Sequence, residues 1–257
     1  MKLMQGKFCL QSMQQDVRLY SRKGSLMQGV IMERIRPTYG EVLHRSELKP
    51  YSQYLYFQKD IGPVWVLNTL TQEASEEVWN IAGLRQLSLF HLSHDNCDIQ
   101  VTERQITCLS EDDLLSQTFF QTCPRTVKIQ FITPTSFKAQ GIYQNYPTVR
   151  HLFQSLLNKF NAVSSGSQVD QESVLEDIEQ NTAIIGYRLQ STQFSVEKVR
   201  IPSFLGALTL RINGPQQLVN LVYMLLRFGT YSGVGIKTAM GMGGMHIIEK
   251  GEETWKL

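Results

Sequence analysis

Cysteine is scarce and scattered in this chain: Cys9, Cys97, Cys108 and Cys123 include no C-x-x-C pair. That spacing indicates neither a zinc site nor a disulfide framework, and points to reduced thiols in or near a core. Long apolar runs are missing too, and the opening Met1-Lys-Leu-Met-Gln-Gly lacks the apolar centre of a signal peptide. A soluble, cytoplasmic chain with no membrane partner is therefore expected. An excess of one charge is also absent. The 25 Lys and Arg against 23 Asp and Glu leave a formal net charge of +2, so a polyanionic partner would have to be met by a local basic surface. There are no clustered carboxylates of the kind that hold two catalytic ions, and neither metal nor cofactor is expected. His91 and His94 have a spacing that suits metal ligands on a helix, but Gln86–Leu92 reads as strand and nothing nearby completes a ligand set.

Glycine, by contrast, is concentrated where it is informative. Gly233-Val-Gly235-Ile-Lys-Thr-Ala-Met-Gly241-Met-Gly243-Gly244 has the form G-x-G-x5-G-x-G, with Lys237 and Thr238 inside it. Repeated loss of Cβ lets a ligand approach the backbone, and positive φ angles can turn several N–H groups towards an anion. Phosphate is the natural candidate. A mononucleotide P-loop or a dinucleotide fingerprint needs its glycines after a strand and before a helix. Here Pro215–Phe228 reads as a helix before the loop and Met245–Glu249 as a strand after it.

The remaining periodicities give an α+β chain with two similar halves. In 1–123, Lys2–Leu10 reads as a strand and Gly24–Ile35 as a helix ended by Pro37; Val64–Leu70 is a strand and Glu73–Leu84 a helix. Gln86–Leu92 and Asp98–Arg104 are further strands, and Glu111-Asp112-Asp113 with Thr122-Cys123-Pro124 marks a boundary. In 124–257, Val127–Ile132 is a strand, Thr148–Phe160 an amphipathic helix and Asn161–Gln171 a polar loop. Ala183–Val196 and Gly206–Ile212 are strands ahead of the last helix, loop and strand. Each half fits a ferredoxin-like β-α-β-β-α-β module.

Three segments carry a resemblance to a known family. The C-terminal loop Tyr231–Gly244, the strand Phe131-Ile-Thr-Pro-Thr-Ser-Phe137, and Leu43-His44 followed by Lys49-Pro50-Tyr51 together resemble the CRISPR precursor-RNA processing endoribonucleases of the RAMP superfamily. The resemblance implies paired ferredoxin-like (RRM-like) modules and metal-independent cleavage of CRISPR repeat RNA. In that chemistry a 2′-hydroxyl attacks the adjacent phosphate, leaving a 2′,3′-cyclic phosphate and a 5′-hydroxyl. It also implies His44 as the proton-transfer residue, placed after the first helix, since an imidazole can give or take a proton near neutral pH. Lys49 and Tyr39 are candidates for charge stabilisation and a second proton transfer, with Tyr51 and Tyr54 competing for these roles. The RNA would be held by Gly233, Gly235, Lys237, Thr238, Gly241 and Gly243, and by Lys198 and Arg200 on a hairpin around Gln193–Arg200. A monomer or homodimer, alone or with effector-complex subunits, fits this reading. Two alternatives stay open: a non-catalytic RNA-holding subunit of the same superfamily, and an unrelated ferredoxin-like phosphate binder.

Overall fold

A computed structural model of the chain describes residues 1–14, 17–164, 171–196 and 199–249. Its first half is organised on strand β1 (Lys2–Ser12), whose faces serve two cores. Met4, Phe8 and Leu10 enter the first core, whereas Leu3 on the opposite face enters the second. Helices α1 (Gly24–Met32) and α2 (Pro37–Arg45) lead to β2 (Tyr51–Gln58) and β3 (Gly62–Thr69). Helix α3 (Gln72–Ser75) runs into a π-helical turn (Glu76–Ile81), followed by β4 (Leu89–Leu92) and β5 (Cys97–Ser110). The strands form one antiparallel sheet in the order β2-β3-β1-β5-β4, with Phe8 opposite Trp65 on one side and Arg104 on the other. Apart from the extra edge strand β4, element order and strand order are those of a ferredoxin-like module.

The second half repeats the pattern. After α4 (Glu111–Thr118) come β6 (Thr126–Thr135), a small hairpin of β7 (Phe137–Ala139) and β8 (Ile142–Gln144), then α5 (Val149–Val163) and α6 (Gln171–Asn181). Strands β9 (Thr182–Val196) and β10 (Val199–Ile212) precede α7 (Gln216–Ser232), a 3-10 turn (Thr238–Met240) and β11 (Met245–Ile248). The sheet order is β11-β6-β10-β9, again antiparallel. Thr148 caps α5 by accepting from the His151 amide at 3.0 Å. The helix then buries Leu152, Leu156 and Leu157 against Val222 and Leu225 of α7 and Phe131 and Phe204 of the sheet, the last two edge to face with centroids 4.8 Å apart.

Several local expectations change. Pro37 does not end the first helix, which stops at Met32: at the first position of α2 it starts another, because a helix's first N–H groups have no partner to lose. The acidic run 111–113 is the first turn of α4, closed by a Ser110–Asp113 capping box. Leu114 of that helix joins the second core. Strand β2 was not anticipated at all. Tyr51 to Tyr56 are all buried, so β2 is covered on both faces and shows no alternation. Helix α6 and the β7/β8 hairpin were likewise unforeseen. Among the described residues no helix is long and apolar enough to cross a membrane. Cys97 and Cys123 are buried, Cys9 is half-buried and Cys108 is exposed, all as free thiols.

Candidate active site at the seam between the two sheets

Helix α2 shows why His44 faces outwards. Tyr39 and Leu43 are buried in the first core, and His44, next to Leu43 in the last turn, is exposed. The histidine therefore sits on a helix end and not in the loop after one. Lys49 folds back over that end, its ammonium donating to the carbonyls of Leu43 and Ser46. A cation there satisfies orphan carbonyls and complements the helix dipole. Burial pulls the Lys49 pKa down, and repulsion from Lys237 lowers it further. That repulsion ties the two halves of the chain together: Lys237 belongs to the glycine loop, yet it lies within electrostatic reach of the helix end that carries His44. Among the described residues His44, Lys49 and Lys237 form no ion pair.

Tyr39 is not part of this cluster. Five positions before His44, it points roughly 140° away around the helix. Its hydroxyl is buried without a hydrogen-bond partner. Burial first, then the nearby carboxylates of Glu73 and Glu77, raise its pKa; Glu77 itself is paired with Arg36 at the start of α2. Tyr51 and Tyr54 are also buried in the first half, Tyr51 with its pKa pushed up to about 12 by burial.

The glycine loop is packed more tightly than a phosphate cradle needs. Gly233, Gly235, Gly241 and Gly243 all have positive φ. A Cβ on Gly243 would lie 2.0 Å from the Val234 carbonyl oxygen, and one on Gly241 2.8 Å from Gly24 Cα at the start of α1. Most amides of the loop are already used. Val234 donates to Gly243 O, Ile236 to Ser136 O and Gly243 to Pro134 O, Gly235 to Ser155 Oγ at 2.8 Å, and Gly244 to Thr133 Oγ1 at 2.9 Å. The glycines thus serve close packing, and what the loop leaves open to solvent is its corner at exposed Lys237 and half-buried Thr238. Lys237 itself adopts a left-handed conformation.

The first half grips this loop through β2. Gln53 Nε2 donates to Gly24 O at 2.7 Å and to Ala239 O at 3.1 Å, Ser52 Oγ donates to Tyr231 O, and Gly244 lies against the Tyr54 ring. From the other side, Phe194, Val196 and Ile201 at the tip of the β9–β10 hairpin pack on Met242 of the loop. Arg200 at that tip is exposed; Lys198 lies outside the described residues. The structure therefore brings the helix end that carries His44 and Lys49 within electrostatic reach of Lys237, and seats the base of the Arg200 tip on Met242 of the same loop.

Sequence reasoning missed Lys159. It sits on α5, buried, with its ammonium donating to Gly233 O at 3.0 Å, and to Ser232 O and Thr238 Oγ1 at 3.4 Å each. Burial pulls its pKa down to about 7. The available signal was a lysine at the i+3 position from Leu156, on the edge of the apolar stripe of α5, where a solvated lysine would not be placed.

Two ferredoxin-like modules with a C-terminal glycine loop wedged between them define a protein of the RAMP class. Solved structures share this fold: a Cas6 product complex (TM-score 0.77, 18% identity, covering 97% of this chain and 100% of that one) and Cas6 from Thermus thermophilus (0.70, 21%, 96% and 97%). The family model for CRISPR-associated endoribonuclease Cas6 matches residues 129–245. The Streptococcus thermophilus protein named CRISPR-associated endoribonuclease Cas6 is 34% identical over 230 residues, 86% of this chain and 90% of that protein. The Mycobacterium tuberculosis H37Rv protein of the same name is 33% identical over 228 residues, 87% and 71% respectively. The chain belongs to the Cas6 family of CRISPR-associated endoribonucleases.

Proposed function

We propose that this protein cleaves CRISPR precursor RNA within its repeats by internal transesterification, without a metal ion, to produce guide RNAs. The observation that carries the reading is the exposed His44 imidazole held at a helix end beside Lys49, with Lys237 brought up from the far half of the chain. In the reaction the 2′-oxygen bonds to the adjacent phosphorus while the bond from phosphorus to the next 5′-oxygen breaks. One proton leaves the 2′-hydroxyl and one reaches the 5′-oxygen, giving a 2′,3′-cyclic phosphate and a 5′-hydroxyl. His44 carries one of these transfers. Lys49 and Lys237 offset the charge of the phosphorane, and Lys49, folded back over the helix end that carries His44, is the group assigned the other transfer. Tyr39, enclosed behind α2, acts by fixing that helix. Arg200 and Lys198 would meet RNA beyond the scissile bond.

The test is incubation of purified protein with a repeat-containing RNA from its own CRISPR array in EDTA. Cleavage at one site, blocked by a 2′-deoxy nucleotide just upstream of the cut, is expected. If EDTA stops the reaction, or the deoxy substrate is cut, the internal-attack mechanism is wrong. Tight binding without cleavage would instead indicate an RNA-holding subunit.

A further inference from the structure

Lys159 has no place in the reaction just described, yet its buried amino group is in direct contact with the glycine loop. Helix α5 sends two polar side chains, one turn apart, into that loop. Ser155 Oγ accepts from the Gly235 amide, and the Lys159 ammonium donates to the Ser232 and Gly233 carbonyls and to Thr238 Oγ1. An ammonium has three donors and no acceptor, whereas a hydroxyl has one donor and can accept twice. While Lys159 is protonated, Thr238 can only accept from it, so the threonine's own proton has to point elsewhere. Among the described residues the Thr238 hydroxyl donates to nothing. Thr238 is half-buried and adjoins exposed Lys237.

We propose that Lys159 is a positioning residue which fixes the Thr238 hydroxyl as a hydrogen-bond donor to a phosphate oxygen of the bound RNA. The hydroxyl grips the phosphate in the ground state, so its loss acts on affinity more than on the saturated rate. This rests on the RNA-cleaving reading above, and wild-type protein in the same assays separates the two: if it neither binds nor cuts repeat RNA, that reading fails, not this one alone.

The probe is a repeat RNA made uncleavable by one 2′-deoxy nucleotide, bound at pH 6 where the Lys159 ammonium is charged. Single-turnover rates with saturating protein on the all-ribose RNA are measured alongside. Thr238→Val should weaken binding about tenfold or more, Thr238→Ser should restore it to near wild type, and the saturated rate should change by only a few fold. Lys159→Met should weaken binding, and adding Thr238→Val to it should cost little further, because the hydroxyl has already lost its orientation. Should Lys159→Met not fold, the two Thr238 variants decide alone. Wild-type affinity in Thr238→Val, failure of serine to rescue, or additive losses in the double variant would overturn the proposal.

Discussion

The two sides of the seam are held in opposite ways. On the α2 side, His44 is exposed in the last turn of a short helix, bonded to nothing among the described residues, with Lys49 serving as its platform. On the loop side the glycines are pressed against backbone from α1 and from the loop itself, most amides are bonded, and the supporting cation Lys159 is enclosed. His44, proposed above as the proton-transfer group, is solvent-facing and lightly held, so its removal should leave the core untouched. A loop that fixes one module against the other is over-determined instead, and substitutions of its packed glycines act first on folding.

This contrast can be broken by experiment. The largest effect is expected on the α2 side and only in rate: His44→Ala should slow cleavage by about 10²–10⁴ while RNA affinity and melting temperature stay close to wild type. Single-turnover kinetics and thermal unfolding read this together, and a wild-type rate would remove His44 from the chemistry. On the loop side the order reverses. Gly243→Val places a branched side chain at positive φ against the Val234 carbonyl, and should cost about 3 kcal/mol or more of stability. A denaturant midpoint unchanged from wild type would mean that the loop is far looser than its packing shows.

The smallest effect sharpens the contrast between the buried and the exposed cation. Folding lowers the Lys159 pKa from 10.5 to about 7, so between these values the unfolded chain binds this proton and the folded chain does not. Stability should therefore rise as pH goes from 7 to 9, by on the order of 2 kcal/mol. Unfolding free energies across that window should show a slope that Lys159→Met flattens. An identical slope in the variant would assign the pH dependence to other groups.

Much of the frame was readable in residue order alone. Alternation through Ile99 and Val101 in β5, the apolar stripes of α5 and α7, and the glycines between a helix and the final strand depend on neighbours in sequence, so they mark their elements without tertiary information. Signals that depend on what covers an element did not survive. Strand β2 loses its alternation because the glycine loop covers its outer face, and the helix opened by acidic residues 111–113 went unread although its buried Leu114 packs in the second core. In the site, the residue types at His44, Lys49 and Lys237 were legible, since each sits in a motif. That Tyr39 turns inwards and Lys159 closes on Thr238 was decided only by packing, because one turn of helix sets which face a side chain occupies and only the folded partner sets what that face meets.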